Sequence, residues 1–256
     1  MKTILLILLL SFNGFTQTST QILLLSGDDF NPIKLNPFCE IKLTSGITKN
    51  PNNKIIAWAS TVNSYSFLQP DTALSPTYYA DSVYFGTGDY MQIADANAGS
   101  FDFGTNDFSI EFWIKVNGTA EAVLLDKYAT ANPRYIVGYS PVGQEGKPSF
   151  TFRDATYGLD ALYGTASIND GQWHHIIFSY NRDAGIYCYT DGVLTGSDET
   201  SAWTEKASVN MDNTSLVDFG TNAGAGASLG SVWVVRAYLK ALTISEAKSL
   251  YSYGRK

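Results

Sequence analysis

Residues 108–116 alternate between apolar and polar positions almost without fault. Phe108, Ile110, Phe112, Ile114 and Val116 fall on one side; Ser109, Glu111, Trp113 and Lys115 fall on the other. A period of two belongs to a β-strand with one face in a core. On the second face Glu111 reads as a solvated side chain. Residues 173–180 form an apolar and aromatic run too short for a typical helix. Its β-branched and aromatic residues suit a pleated, half-buried surface. Asn181 to Gly185 break the run, Ile186 to Thr190 resume it, and Asp191-Gly192 offers the positive-φ pair of a two-residue hairpin. Val193-Leu194-Thr195 then continues the pairing as an antiparallel meander.

The same reading predicts strands at 38–43, 55–58, 123–127, 135–139 and 149–153. Residues 44–54 and 70–76 read as loops, because Asn-Pro, Asn-Asn and flanking prolines favour turns. Residues 17–37 read as a linker or an extra edge strand. Only Ile244 to Tyr253 has a helical pattern, with Ser245 as its cap. No internal repeat marks a solenoid or propeller. Short strands with frequent turn signals predict an all-β, antiparallel two-sheet β-sandwich with a short C-terminal helix.

Composition adds to this picture. A chain of 256 residues can bury a substantial core as one all-β domain. It has 16 Tyr, 14 Phe and 5 Trp but only 16% charged residues, which suits polar, uncharged loops. The net charge is −7 without a Lys/Arg cluster, which argues against nucleic acid and against charge-driven binding to anionic lipid. At the N-terminus, Met1-Lys2-Thr3 precedes an apolar run from Ile4 to Leu10. That pattern reads as a signal peptide over residues 1–16, cleaved near Thr16-Gln17, and is too short to span a bilayer. The alternative is a retained N-terminal arm.

The Asp170-Gly-Gln-Trp-His-His segment, a strand, and then Tyr189-Thr-Asp-Gly resemble the laminin-G-like, concanavalin A-like lectin/glucanase jelly-roll family. Residues 83–93, 108–116, 230–243 and 245–251 resemble its early strand, next core strand, closing strand and following short helix. The resemblance spans roughly residues 38–253 and implies one laminin-G-like jelly-roll domain over 38–256. It implies a fold and not a ligand.

His174 and His175 are neighbours on a strand, so they point to opposite faces and cannot jointly bind one metal. The resemblance makes them scaffold beside Trp173. No Gly-x-Ser-x-Gly or His-Glu-x-x-His motif occurs. Relatives that cleave glucans commonly carry Glu-x-Asp-x-x-Glu on one strand, and this chain has none. The expectation is therefore a non-catalytic module, with glycoside hydrolase or lyase activity a minor alternative. Sugar recognition uses aromatic platforms beside amide and charged groups. Tyr128, Asn132, Arg153, Asp154, Tyr157 and Tyr163 lie in or near expected loops and strand ends. The resemblance implies calcium as the one cofactor, since jelly-roll relatives often hold one between loops; it takes oxygen ligands, for which Asp89, Asp126 and Asp154 are candidates, while Asp191 has a competing role in its turn. Cys39 and Cys188 can form a disulfide only if their strands are neighbours; otherwise they are buried thiols. The expected function is exported binding or adhesion toward glycans or cell-surface proteins. The alternative is a structural subunit of a larger assembly, such as a virion appendage.

Overall fold

The computed structural model describes residues 30–118, 120–128, 133–220 and 229–255. Among them the strands run in order: β1 Cys39–Lys42, β2 Ile47–Lys49, β3 Ile55–Ala59, β4 Ser66–Leu68, β5 Thr77–Tyr79 and β6 Ser82–Phe85. Then come β7 Met91–Ile93, β8 Phe108–Asn117, β9 Ala122–Lys127, β10 Arg134–Tyr139, β11 Pro148–Asp154 and β12 Gly158–Tyr163. The last are β13 Asp170–Asn181, β14 Gly185–Thr190, β15 Val193–Asp198, β16 Val217–Phe219 and β17 Gly230–Tyr238. A single-turn helix, α1 (Ser201–Thr204), precedes β16, and α2 (Ile244–Tyr253) closes the fold.

The strands build two antiparallel sheets. The eight-stranded sheet has the order β15-β14-β13-β8-β17-β6-β5, with β1 alongside the end of β17. The nine-stranded sheet has the order β12-β11-β10-β9-β16-β7-β4-β3-β2. They form a jelly-roll sandwich. Its core takes the apolar face of β8 as the alternation demands: Phe108, Ile110, Phe112, Ile114 and Val116 are all buried. Aromatic rings bridge the two layers. Phe108 of β8 meets Phe150 of β11 at 5.9 Å, and Phe85 of β6 meets Phe219 of β16 at 4.8 Å. Contacts of this kind add about 0.5–1.5 kcal/mol each beyond their buried area.

Several local expectations change. Residues 44–54 include β2, and β4, β5, β12 and β16 are strands too short or too irregular to show a pattern. Residues 32–35 form a 3-10 turn capped by the Asn31 side chain, so this part of 17–37 is not an edge strand. The proposed signal segment and residues 17–29 lie outside the described residues. α2 has the expected span, but its cap is Thr243 and not Ser245. The Thr243 hydroxyl accepts from Glu246 N at 3.3 Å, and Glu246 Oε2 accepts from Thr243 N at 2.8 Å. This reciprocal arrangement satisfies two otherwise orphaned donors.

The cysteines are not bridged. Both are free and buried. Cys39 on β1 and Cys188 on β14 are separated in the sheet by β17, β8 and β13. Four strand steps place them ~19 Å apart, far beyond disulfide reach. Burial pushes both thiols up to about 12. No described helix is long and apolar enough to cross a membrane.

Candidate functional site

The two sheets treat their outer faces differently. On the eight-stranded sheet that face is sealed. Phe30, Leu242, Ala247 and Leu250 pack with Ile177, Tyr189 and Tyr238 in a second apolar cluster. Tyr251 of α2 stacks on Trp113 at 5.7 Å. Glu111 therefore lies beneath this cover and is 0% exposed, which corrects its reading as a solvated residue.

Its burial is fully compensated. Arg236 on β17 donates from Nη1 to Glu111 Oε1 at 2.6 Å and from Nε to Glu40 Oε2 at 2.5 Å. Tyr238 Oη donates to Glu111 Oε2 at 2.7 Å. His175 Nε2 lies 3.1 Å from Glu111 Oε1 and must be the donor, because an ionised carboxylate only accepts. Burial alone would raise the Glu111 carboxyl, but Arg236, then His175 and Tyr238, override it and hold it at about 2.

The two histidines diverge as strand geometry requires. His175 joins the buried cluster. His174 sits between two carboxylates, with Nδ1 2.8 Å from Asp191 Oδ2 and Nε2 3.0 Å from Asp170 Oδ1. The bond to Asp191, supported by Asp170 and opposed by burial, raises its pKa. Asp191 also accepts from His175 N at 2.9 Å and holds the positive φ of the hairpin turn. This motif clamps the hairpin to β13.

The outer face of the nine-stranded sheet carries no such cover of helix and apolar cluster among the described residues. One register crosses it from strand to strand. Leu68 pairs with Gln92, Gln92 with Asp218, Asp218 with Asp126, Asp126 with Ile136, and Ile136 with Thr151. Leu68 is 52% exposed at one end. Asp126, at the centre, is 0% exposed and neither carboxylate oxygen has a hydrogen-bond partner. Burial first, then the charge of Asp218, pushes Asp126 up to about 8. Asp218 is also raised by burial, opposed by the 2.6 Å bond it accepts from Gln92 Nε2. Asp126 is too enclosed for a sugar to pass between it and Asp218, so the pair does not flank a scissile bond as a hydrolase requires.

Beside this row lies a basic and aromatic one. Arg134 is paired directly with Arg153 on β11, and its guanidinium lies 4.3 Å from the Tyr128 ring centre. The Arg134 Nε has no hydrogen-bond partner. At the adjoining rim, Pro133, Asp154, Ala155, Thr156, Tyr157 and Val209 line a pocket of ≈ 360 Å³. Tyr157 is exposed there, with Lys206 Nζ 5.4 Å from its ring centre.

Of the sugar-binding candidates, Tyr128, Arg153, Asp154 and Tyr157 thus gather at one end of the sheet. Tyr163 lies at the other end of β12, opposite Ser149. Asn132 lies outside the described residues. Asp154 Oδ1 is occupied by the turn, accepting from Thr156 N and Tyr157 N. The three metal candidates do not converge. Asp89 accepts from Gly86 N in a separate turn, and no described group of three His, Cys, Asp or Glu side chains could hold a metal. Arg134, Gln92 and Asp218 were missed. The alternation Val217-Asp218-Phe219 was the available signal for Asp218.

The family model for the concanavalin A-like lectin/glucanases superfamily (Laminin_G_3) matches residues 85–248. The chain belongs to that superfamily. No curated protein matches it. Among solved structures, this superfamily member resembles the binding domain of Paraclostridial Mosquitocidal Protein 1, with TM-score 0.59 and 16% identity over 86% of this chain and 52% of that one. It thus spans about half of that toxin domain. It also resembles the Ruminococcus gnavus IT-sialidase CBM40 bound to α2,3-sialyllactose, with TM-score 0.54 and 12% identity over 67% of this chain and 96% of that one. A third is Trypanosoma rangeli sialidase in complex with sialic acid, with TM-score 0.55 and 13% identity over 83% of this chain and 32% of that one. At such identities the likeness establishes the fold, and function must be argued from the site.

Proposed function

We propose that the chain is a non-catalytic glycan-binding module, using the outer face and rim of the nine-stranded sheet where β9 to β12 meet. The observation that carries this reading is the asymmetry between the faces. One is sealed, while the other presents Tyr128, Arg134 and Arg153 beside the Tyr157 pocket. Aromatic rings offer apolar faces to sugar rings, and arginines offer forked donors to hydroxyl or acid groups. The binding domains among its structural neighbours support the reading. An exported protein at a cell surface, binding glycan or glycoprotein, fits the signal-like N-terminal sequence.

The test is a glycan array probed with the full chain, with and without calcium, followed by titration of the best ligand. Selective binding is expected, weakened at least about tenfold by Tyr157→Ala or Arg153→Ala, which remove exposed groups and leave the core intact. Absence of binding in both conditions overturns the proposal. If it coincides with a large subunit interface in a native particle, the role is that of an assembly subunit. Release of reducing sugar from a bound glycan would make the protein a hydrolase instead.

A further inference from the structure

We propose that the far end of the eight-stranded sheet carries a second binding site, for a sugar bearing one carboxylate. The cover of α2 reaches Trp113, where Tyr251 stacks, and the next outward residue of β8 is Lys115. A register row runs through it. Trp173 pairs with Lys115, Lys115 with Ser231, Ser231 with Tyr84 and Tyr84 with Thr77. Directly opposed residues share a face, so these side chains stand together on the outer side. Tyr84, Lys115, Asn117, Gly171, Gly230 and Ser231 line a pocket of ≈ 370 Å³ there. That volume falls in the range of small-ligand sites, about 300–1,000 Å³. Two glycines shape it. A Cβ at Gly230 would lie 2.6 Å from Lys115 O, so only glycine lets β17 approach β8 at this point. No atom lies within 4 Å of a Cβ placed on Gly171, which leaves that side of the pocket open.

The surroundings are cationic and aromatic. Lys115 Nζ lies 5.4 Å from the Trp173 ring centre, and the Arg255 guanidinium lies 4.5 Å from the same ring. Contacts of this kind hold both charges over the sheet. Among the described residues Lys115 makes no ion pair. The acids near the pocket along the chain are used elsewhere. Asp170 accepts from Gln172 N and lies 3.0 Å from His174 Nε2. Asp81 accepts from Ser82 Oγ and acts at longer range on Arg255. Lys115 is thus a charge placed to meet an incoming carboxylate. Tyr84 adds a ring that is 38% exposed, and Tyr79 meets it edge-on at 6.4 Å. Asn117 and Ser231 bring an amide and a hydroxyl to the same pocket. A sugar ring stacked on Tyr84, with its acid group on Lys115, engages all of them. A neutral sugar leaves the ammonium unused. A densely sulfated polymer needs a run of cations, and a chain of net charge −7 repels it.

The ligand class rests on the glycan reading, but the pocket shares no residue with the Tyr157 rim. The experiment is an array of neutral, uronic-acid and sialic-acid oligosaccharides, the methyl esters of the acids, a sulfated oligosaccharide and a glutamate tripeptide. It is probed with the full chain and its variants. In Tyr157→Ala, where the rim is disabled, carboxylate sugars should still bind, and the two acid types show which source the pocket prefers. Adding Lys115→Gln or Tyr84→Ala to Tyr157→Ala should weaken that binding at least about tenfold, as should the methyl esters. Lys115→Arg keeps the charge and should retain binding, which shows that the loss in Lys115→Gln is not loss of fold. Carboxylate-sugar binding that vanishes in Tyr157→Ala, or that Lys115→Gln leaves unchanged, overturns this site and keeps the rim. Equal binding of the methyl esters or of the tripeptide, or binding of the sulfated oligosaccharide alone, overturns the ligand class. No binding of any sugar overturns the glycan reading together with this site.

Discussion

Glu111 and Asp126 are two carboxylates buried to the same degree, one on the outer face of each sheet, and their environments drive them in opposite directions. Glu111 is held at about 2 and Asp126 is pushed to about 8. Burial raises both. The difference lies in what surrounds them: a guanidinium, a phenol and an imidazole around Glu111, and another carboxylate beside Asp126. A buried charge with a complete set of donors belongs to the scaffold. One without them keeps its proton instead.

The comparison breaks most decisively at Arg236. Arg236→Met leaves Glu40 and Glu111 buried without their cation and should cost about 3–5 kcal/mol, read as a lowered urea midpoint at unchanged slope.

Next in size is the pH dependence, which has opposite signs at the two sites. The folded pKa of Glu111 is depressed, so its contribution is present above the unfolded value and is lost as pH falls from about 4.5 toward about 2. The folded pKa of Asp126 is raised, so its contribution is full below the unfolded value near 3.8 and is lost as pH rises toward about 8. Each limb has a limiting slope of roughly 1.4 kcal/mol per pH unit. The summed contribution of these two groups is therefore largest near pH 4–5. Asp126→Asn should make the alkaline limb shallower and leave the acid limb intact, as read from denaturant midpoints across pH.

The smallest effect sharpens the sealed side alone. Thr243→Ala removes the cap of α2 and should cost about 1 kcal/mol. It should leave the slope from Asp126 unchanged, because α2 covers the other sheet.

The sequence made the strands with local periodicity readable. β8 announced its inward face, β13 to β15 announced a hairpin, and α2 announced its span. Glu111 was misjudged because a strand's period reveals that it has two faces but not what covers the second. Its cover comes from Leu242 and α2, more than a hundred residues away. The row of Gln92, Asp218 and Asp126 was hidden for a related reason. Its members stand on β7, β16 and β9, which become neighbours only once the chain has crossed between sheets. Asp89, Asp126 and Asp154, the metal candidates, stand apart from one another, with Asp89 and Asp154 each held in its own turn. Tyr128 and Arg153 were readable as loop and strand-end residues; the Arg134 between them was not, because only pairing places it there.

Phe30, near the start of the described chain, meets Tyr253 of α2 edge-on at 6.0 Å. These two positions adjoin each other on the sealed side of the sandwich. A tether joined through either would leave from the back of the domain. The nine-stranded sheet would then face outward from the point of attachment, and immobilising the protein at either position should orient it without masking the Tyr157 rim.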